Sequence, residues 1–318
     1  MNSPLLQVRN LRVDFGRQVA LHDVSFDLFS GETVALVGES GSGKSTLARA
    51  ILRLLDSAQG SVEFMGLDLL RSPASAMRAQ RRNLQIVFQD PLASLNPRMT
   101  VGDAIAEPLR IFEPQLNATE RRQRVTAMLE RVGLSAGLAS RYPHEFSGGQ
   151  CQRIAIARAM VLHPKLLICD EAVSSLDVSI QGQIINLLLD LQRDVGMTML
   201  FISHNLAVVR QLSHRVMVMY LGRLVEIASC DSLFVAPVHP YTRALLAAVP
   251  QIPPVAVAAP LIEESLSAGA IASGCTFRDR CPYALTVCET TDPPLLEVAP
   301  GHWAACHRSH ENPLSLPV

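Results

Sequence analysis

The chain begins with short stretches in which apolar and polar residues alternate. Alternation runs through Leu6–Phe15 and 24–28, and Thr33–Val37 is a continuous apolar run that enters a glycine-rich loop. Alternation predicts strands with one buried face, whereas a continuous apolar run predicts a strand buried on both faces. Further strands are predicted at 61–65, 84–88, 166–169 and 198–202.

The middle of the chain changes to helical spacing. Residues 90–164 are more polar, and 119–132 is the clearest helix, although Thr119-x-x-Arg122 is only a weak cap. Helices are also predicted at 46–55, 181–195 and 241–249, and the proline-rich stretch 250–260 reads as a linker. Alternating strands and helices predict a mainly parallel sheet with crossover helices, with 90–164 as a second, helical lobe.

Composition narrows the class of protein. The chain has 318 residues, of which 48% are hydrophobic and 18% charged, with 28 Lys plus Arg against 29 Asp plus Glu. A net charge of −1 does not favour a general nucleic-acid binder. No secretory signal and no apolar stretch of membrane-spanning length is evident, so we expect a soluble, cytoplasmic chain whose membrane role comes through a partner.

A phosphate-binding loop is the first candidate site. Gly38-x-x-x-x-Gly43-Lys44-Ser45 follows a predicted strand and precedes a predicted helix, which is the context that this motif requires. The glycines let the backbone wrap around phosphates, and the helix N-terminus supplies positive potential. We expect Lys44 to pair with the β- and γ-phosphates and Ser45 to ligate Mg²⁺.

Polar residues follow three of the predicted strands. Asp170 and Glu171 end an apolar strand, Gln89 ends another, and His204 follows the strand at 198–202. Asp170 is expected to hold the magnesium shell through Ser45 or water, and Glu171 to orient or deprotonate the attacking water. Gln89 could reach the metal or the water, and His204 the γ-phosphate. Positioning and charge stabilisation do most of the work in phosphoryl transfer.

A third motif, FSGGQ at 146–150, opens a helix between these two regions. Ser147, Gly148 and Gly149 offer backbone amides and a hydroxyl that can form a second phosphate-facing surface. This combination predicts a nucleotide shared between two subunits.

The order of these motifs, together with SSLD at 174–177, resembles the ATP-binding cassette (ABC) family over roughly residues 5–235. The resemblance implies an α/β fold: a P-loop NTPase cassette with a RecA-like parallel-sheet core, an antiparallel β subdomain, a helical subdomain at about 90–164 and a small cysteine-containing C-terminal tail. Residues 1–235 would form the ATP-binding domain and 236–318 the tail. Cys151 and Cys169 depart from the usual pattern but remove no group needed for hydrolysis, so an active site is predicted.

In that family two cassettes hold two ATP molecules between them, and the resemblance assigns roles accordingly. Ser147, Gly148 and Gly149 would contact the γ-phosphate held by the partner cassette, Asp177 would communicate across the dimer, and Phe15 would stack on adenine. The alternative for Phe15 is a core phenylalanine. The residues expected to contact ATP or its magnesium are Phe15, Gly38, Ser40, Gly41, Gly43, Lys44, Ser45, Thr46, Gln89, Ser147, Gly148, Gly149, Asp170 and Asp177.

Longer strings are similar to the peptide and nickel importer branch of the family. They are QDPLASLNPRMTVGDAIAEPL at 89–109, EAVSSLDVSIQ at 171–181, YLGRLVEIA at 220–228 and HPYTRALLAAVP at 239–250. The resemblance implies an ATPase subunit of a dipeptide or oligopeptide importer on the cytoplasmic face of the bacterial inner membrane. Its partners would be a similar but non-identical cassette, two transmembrane permease subunits and, indirectly, a solute-binding protein.

Several alternatives stay open. Nickel, glutathione and opine importers share these strings. A soluble cassette protein acting on DNA or ribosomes is disfavoured by the single cassette without heptads or basic excess. A module that holds ATP without turnover is disfavoured by Glu171 and His204.

The tail carries four of the seven cysteines. Cys275, Cys281, Cys288 and Cys306 are spaced x5, x6 and x17, enough thiolates for a [4Fe–4S] cluster or a structural zinc. The absence of a C-x-x-C motif disfavours a zinc ribbon, and free structural thiols are the third alternative. Nearby histidines (His302, His307 and His310) leave a mixed site open. Since the tail is small and proline-rich, with little core of its own, we expect a metal to hold it together.

Overall fold

A computed structural model describes residues 3–16, 18–248 and 273–311. Its strands are β1 (Leu6–Phe15), β2 (Gln18–Leu28), β3 (Thr33–Val37), β4 (Ala58–Phe64), β5 (Leu67–Asp68), β6 (Leu84–Val87), β7 (Leu166–Asp170), β8 (Thr198–Ile202), β9 (Arg215–Tyr220), β10 (Arg223–Ser229), β11 (Leu296–Ala299) and β12 (His302–Ala304). Its α-helices are α1 (Lys44–Ile51), α2 (Ala74–Gln80), α3 (Pro91–Ser94), α4 (Val101–Phe112), α5 (Ala118–Arg131), α6 (Gly148–Met160), α7 (Val178–Val195), α8 (Leu206–Leu212), α9 (Cys230–Val235), α10 (Pro240–Ala247) and α11 (Val287–Thr290). Short 3-10 helices lie at Ala136–Ser140, Pro143–Glu145 and Arg278–Arg280.

The predicted strands and helices are confirmed, with shifts at their ends. β2 begins at Gln18 rather than at residue 24, and α1 begins at Lys44 rather than at residue 46. The stretch 250–260, predicted as a linker, lies outside the described residues.

The chain divides into two compact units. The first is built mainly from Glu63–Ser203, and the second from Val8–Phe26, Val34–Val62 and the chain from His204 onward. In the first unit β6, β7 and β8 form consecutive parallel pairs, with Cys169 opposite Val87 on one side and Phe201 on the other. Every residue of β7 and β8 is buried, as parallel strands covered on both faces require.

In the helical part of the first unit, polar side chains cap the N-termini of the helices. Thr100 accepts a hydrogen bond from the Asp103 amide at the start of α4. At the start of α5, Asn117 and Glu120 form a reciprocal capping box. The weak Thr119 cap expected from the sequence was therefore wrong: the cap is Asn117, two residues earlier, and α5 begins at Ala118.

In the second unit the strands lie in the order β3, β9, β10, β12, β11, and β2, β1 and β4 also lie side by side. β3 pairs with β9 in parallel, whereas β9 and β10 form an antiparallel hairpin. The hairpin turn uses Leu221 at φ 42° and Gly222 at φ 77°, the positive values that a tight two-residue turn needs. The Gly222 amide donates to Ser42 O across 2.8 Å, so this turn supports the glycine-rich loop.

The cysteine-containing tail adds to the sheet of the second unit. β12 pairs with β10 in the register Glu226 to Ala304, and β11 pairs with β12. Phe277 from the tail is 1% exposed and packs in the same apolar cluster as Tyr220 and Tyr241. Strand pairing and aromatic burial therefore hold the tail, contrary to the expectation that it lacks a core contact of its own.

A buried carboxylate completes this attachment. Glu226 is 0% exposed, and its carboxylate lies 2.7 Å from His302 Nε2. The carboxylate also accepts hydrogen bonds from the backbone amides of Val238 and His239 at 2.8 and 2.9 Å. Three partners compensate the burial of the charge, which would otherwise be costly. Within the described parts of the chain, no helix is both long and apolar enough to cross a membrane.

Candidate functional site

The phosphate-binding loop is closed around its own lysine. Lys44 is 4% exposed, and its Nζ donates to the carbonyl oxygens of Gly38 and Glu39 at 2.9 and 2.8 Å. These carbonyls hold a buried ammonium at the centre of the loop. Since phosphate oxygens are stronger acceptors than carbonyls, the same ammonium can turn to an anionic ligand.

Two glycines of the loop are required by backbone geometry. Gly38 has φ +154°, and a Cβ there would lie 2.2 Å from Met219 O. Gly43 has φ +106°, and its Cβ would lie 2.9 Å from Ala20 O. At Gly41 a Cβ would meet nothing within 4 Å, but the φ of +78° by itself favours glycine. Ser40 is exposed beside it, so this pair forms the outer rim of the loop.

The start of α1 is suited to an anion. Gly43 is the N-cap residue and has no side chain to accept hydrogen bonds from the first turn, which contains Ser45 and Thr46. Uncapped amides at a helix N-terminus attract phosphate, both by hydrogen bonding and through the helix dipole. The residues predicted to bind phosphate thus all lie in the second unit, in the loop after β3 and the first turn of α1.

Phe15 and His204 belong to the same unit and are both exposed. Phe15, at the end of β1, is 53% exposed, so the core alternative was wrong and a ring face is accessible for stacking. His204 is exposed and precedes Asn205, whose Oδ1 caps α8 by accepting from Ala207 and Val208 at 3.1 and 3.4 Å.

The acidic residues lie in the first unit, at the end of β7. Asp170 is 4% exposed and is the last residue of the strand. Glu171 follows in a left-handed conformation at φ 50°, and its amide donates to Ile202 O across 3.1 Å. Gln89 Nε2 donates to Glu171 Oε2 at 3.1 Å and approaches Ser174 Oγ at 3.4 Å. Gln89 and Glu171 are therefore brought together, and Ser174 joins them.

The FSGGQ loop is a rigid helix start. The Ser147 amide donates to Gln150 Oε1 at 3.0 Å, and Ser147 Oγ accepts from the Gln150 amide at 3.4 Å, completing a capping box. A Cβ on Gly149 would lie 2.7 Å from Ile180 Cγ2, so only glycine fits beneath α7. Ser147 and Gly148 are exposed, and can present their hydroxyl and amide to another molecule.

Asp177 caps α7 at the same end. Its Oδ1 accepts from Ser179 Oγ at 2.8 Å and from the Ile180 amide at 3.0 Å. The hydrogen bond from Ser179, followed by that from Ile180, lowers the pKa of the Asp177 carboxyl. The predicted cross-dimer residue is therefore an ionised helix cap.

The two unusual cysteines are packing residues. Cys151 is fully buried, and its Sγ donates to Pro143 O at 3.4 Å behind the FSGGQ loop. Cys169 is also fully buried, 3.8 Å from Met199 Sδ. Burial raises the pKa of both thiols, which keeps them neutral. Neither occupies a position that displaces a predicted site residue.

The four tail cysteines cluster without forming a ligand set. Burial raises the pKa of the Cys275 and Cys281 thiols to about 11, with smaller contributions from the other tail thiols. Leu285 N donates to Cys288 Sγ at 3.4 Å, and Cys306 lies in the same region with a raised pKa. Among the residues that the structure describes, no three His, Cys, Asp or Glu side chains converge to hold a metal ion. As arranged, the cysteines do not fit the predicted iron–sulfur cluster or zinc.

Two protein-family models match the chain. Residues 21–174 match the model described as ABC transporter, and 225–288 match the oligopeptide/dipeptide transporter C-terminal region. The oligopeptide transport ATP-binding protein OppF of Escherichia coli is 50% identical over 325 residues, covering 95% of each chain. A putative peptide import ATP-binding protein of Brucella ovis is 50% identical over 318 residues, covering 97% of this chain and 99% of the relative.

Two solved structures that resemble this chain are also ABC proteins. CbiO1 from Clostridium perfringens, part of the ABC transporter complex cbiONQ, is 29% identical with a TM-score of 0.67, over 74% of this chain and 92% of that chain. The ATP-binding cassette MJ0796, in a dimeric post-hydrolysis state with ADP and Pi, is 28% identical with a TM-score of 0.65, over 71% of this chain and 98% of that one. The resemblance read from the motifs is confirmed: the chain belongs to the ATPases of the ABC transporter family and carries the oligopeptide/dipeptide transporter C-terminal region.

Proposed function

We propose that this chain binds and hydrolyses ATP to drive uptake of dipeptides or oligopeptides through a membrane importer. The observation that carries the catalytic part is the contact of Gln89 with Glu171, which orients a carboxylate at the end of a buried strand. The peptide cargo is supported by 50% identity, over nearly the whole chain, to proteins named for oligopeptide transport or peptide import.

In this proposal the phosphate loop binds the nucleotide. Lys44 exchanges its loop carbonyls for the β- and γ-phosphates, the amides around Gly41 and Gly43 surround the phosphates, and Phe15 stacks on adenine. The remaining contacts assigned to the loop are those of Gly38, Ser40, Ser45 and Thr46. The buried ammonium supports this, because a preorganised cation needs little rearrangement to bind an anion.

Hydrolysis is assigned to the residues that follow β6, β7 and β8. Glu171 orients or deprotonates the attacking water, Gln89 positions that carboxylate, and His204 contacts the γ-phosphate. Ser45, Gln89 and Asp170 supply hydroxyl, amide and carboxylate oxygens, the hard donors that suit Mg²⁺. A magnesium ion held by these residues would supply positive charge to the phosphates.

A second cassette completes each site in this proposal. Exposed Ser147 and Gly148, with Gly149, contact the γ-phosphate held by the partner, and the ionised Asp177 cap contacts the partner cassette. The partner is a similar but non-identical ATPase chain. Residues 1–235 act as the ATP-binding domain, with the helical subdomain at about 90–164, and 236–318 as the tail.

The chain works as a peripheral subunit on the cytoplasmic face of the bacterial inner membrane. Two permease subunits form the path, and a solute-binding protein delivers the peptide. Segment 89–109, similar to the permease-gripping segment of this branch, supports that docking. Closure of the ATPase pair on ATP moves the permease, and hydrolysis resets it.

Reconstituted transport tests the proposal. The chain, its partner cassette and the permease in proteoliposomes, supplied with the solute-binding protein, should take up a labelled tripeptide only with ATP, and Lys44→Ala should abolish uptake. Competition by excess nickel, glutathione or opine, without competition by peptides, would move the cargo to one of those alternatives. ATP turnover stimulated by DNA or ribosomes, and not by the permease, would instead favour a soluble cassette protein.

The [4Fe–4S] cluster, with zinc as its alternative, stays a prediction without geometric support. Absorbance near 400 nm and iron analysis of anaerobically purified full-length chain test it. Colourless protein free of iron and zinc would leave the four cysteines as structural thiols.

A further inference from the structure

Glu39, the second residue of the phosphate-binding loop, is held by two residues far along the chain. Its backbone amide donates to Tyr241 Oη across 2.8 Å, at a separation of 202 positions. Its carboxylate accepts from both terminal nitrogens of Arg280 at 2.8 and 2.9 Å, at a separation of 241 positions. The loop is thereby connected to α10 and to the cysteine-containing tail, all within the second unit.

Arg280 makes this contact from a largely buried position. Its side chain is 14% exposed, and Cζ lies 5.7 Å from the ring centroids of both Tyr220 and Phe277. The bidentate contact with Glu39 raises the guanidinium pKa. Among the described residues Nε has no hydrogen-bond partner, so Glu39 is the chief compensation for desolvating this charge. The Glu39 side chain is 41% exposed, so the pair is only half-buried, but its forked geometry fixes the two side chains more strongly than a single exposed contact would.

Tyr241 is equally constrained. It is 1% exposed, its ring lies 4.6 Å from Tyr220 and 5.5 Å from Phe277, and its amide donates to His239 Nδ1 across 3.1 Å. These contacts give a physical role to the HPYT string: the histidine caps α10, and the tyrosine hydroxyl meets the loop. A fixed hydroxyl sets the position of the Glu39 peptide.

Glu39 in turn touches the lysine. The carbonyl oxygen of Glu39 accepts from Lys44 Nζ at 2.8 Å, beside the Gly38 carbonyl at 2.9 Å. A shift of the Glu39 peptide therefore moves one of the acceptors that hold the ammonium in place.

We propose that Tyr241 and Arg280 are positioning residues that preorganise the phosphate-binding loop, so that the C-terminal tail sets the affinity of the chain for ATP. The proposal rests on the proposed function of the loop. Neither residue touches a phosphate: Tyr241 acts through the Glu39 amide and Arg280 through the Glu39 carboxylate. Loss of either contact leaves the loop more states to sample, and binding must then order it.

Tyr241→Phe tests the amide contact while keeping the buried ring. The dissociation constant of Mg·ATP, measured calorimetrically on the full-length chain, should rise about threefold to tenfold, the range for one lost hydrogen bond. kcat should change by less than about twofold, since a uniform loss of binding raises KM alone. Tyr283→Phe, in the same tail but against Arg308, is the matched control and should bind like wild type.

Arg280→Lys tests the carboxylate contact, since an ammonium cannot make the forked pair. Affinity for Mg·ATP should again fall about threefold to tenfold. In a Glu39→Gln background the same substitution should have little further effect, because residues that act through one contact are not additive. Arg308→Lys, whose ion-pair partner is Glu311, is the control. Full additivity of Arg280→Lys and Glu39→Gln would overturn the coupling.

Outcomes separate this inference from the proposed function. A wild-type chain that binds no ATP contradicts the proposed function itself. A wild-type chain that binds ATP, with both Tyr241→Phe and Arg280→Lys binding equally well, contradicts the inference alone. Weaker binding that returns to wild type after correction for the folded fraction, measured by circular dichroism without nucleotide, also contradicts it and leaves a stability role.

Discussion

The side-chain amide of Gln89 donates to Oε2 of Glu171 across 3.1 Å, joining the loop that follows β6 to the residue after β7. Glu171 is held from its backbone as well, by a left-handed conformation and by its amide hydrogen bond to Ile202 O. A non-glycine residue in this conformation is strained, and such strain persists where the surroundings enforce it. Contacts to its side chain and to its backbone thus both orient the carboxylate that we assign to the attacking water.

Gln89→Leu removes the orienting amide and a proposed magnesium ligand. We expect kcat for phosphate release to fall about tenfold, since a positioning contact of about 1.4 kcal/mol corresponds to that factor. The magnesium concentration for half-maximal activity should rise. Gln85→Leu, on β6 with its amide bonded to Arg81 O, is the control and should leave both quantities unchanged.

Gly149→Ala tests the close approach of α6 and α7. The new methyl would lie 2.7 Å from Ile180 Cγ2, so we expect about 1–3 kcal/mol lower free energy of unfolding. Gly182→Ala, where a Cβ meets nothing within 4 Å inside α7, should raise it by about 0.5–1 kcal/mol. Denaturant unfolding of both variants checks the signs. Equal effects of the two substitutions would rule out the predicted clash.

The His239 ring predicts acid sensitivity. Burial, opposed by the Glu226 charge, lowers the pKa of His239 to about 4. Because the unfolded chain binds this proton near pH 6.5, stability is lost as the pH falls from about 6.5 to about 4, by roughly 3 kcal/mol. His239→Asn, which can still cap α10, should flatten the fall in the free energy of unfolding over this window. Exposed His310→Asn should not.

The packing of Phe277 and the pairing of β12 with β10 attach the tail, and two measurements test whether they suffice without a metal. Phe277→Ala should lower the free energy of unfolding by about 3–5 kcal/mol, since a fully buried ring is removed. Leu285→Ala, at a side chain 40% exposed, should cost less than about 0.5 kcal/mol. A strong chelator should leave Tm of the wild-type chain unchanged. A large drop in Tm on chelation would reinstate a structural metal.

Much of the fold could be predicted because its determinants are local. Thr33–Val37 and Thr198–Ile202 are apolar after their first threonine, and every residue of both is buried. The start of α7 departs from the prediction because Asp177 caps the helix, which therefore begins at Val178, three residues before the predicted start at 181. A cap depends on one side chain, which periodicity does not register.

The connections between distant residues could not be predicted. Arg280 meets Glu39, and His302 meets Glu226, through contacts whose partners lie far apart in the chain. Nothing in the local pattern of the tail marks β12 as a strand that pairs with β10. Such pairing is decided by the open edge that the hairpin provides rather than by the tail itself.

Phosphate release by the Glu171→Gln variant tests the central claim most directly. The full-length chain, assembled with its partner cassette and permease, should lose hydrolysis at this site by about 10²–10⁴-fold, the usual contribution of a general base. Mg·ATP binding should be retained, since Lys44 and its loop are unchanged. Wild-type turnover by Glu171→Gln, with ATP still bound in the loop, would contradict the assignment of catalysis to this carboxylate.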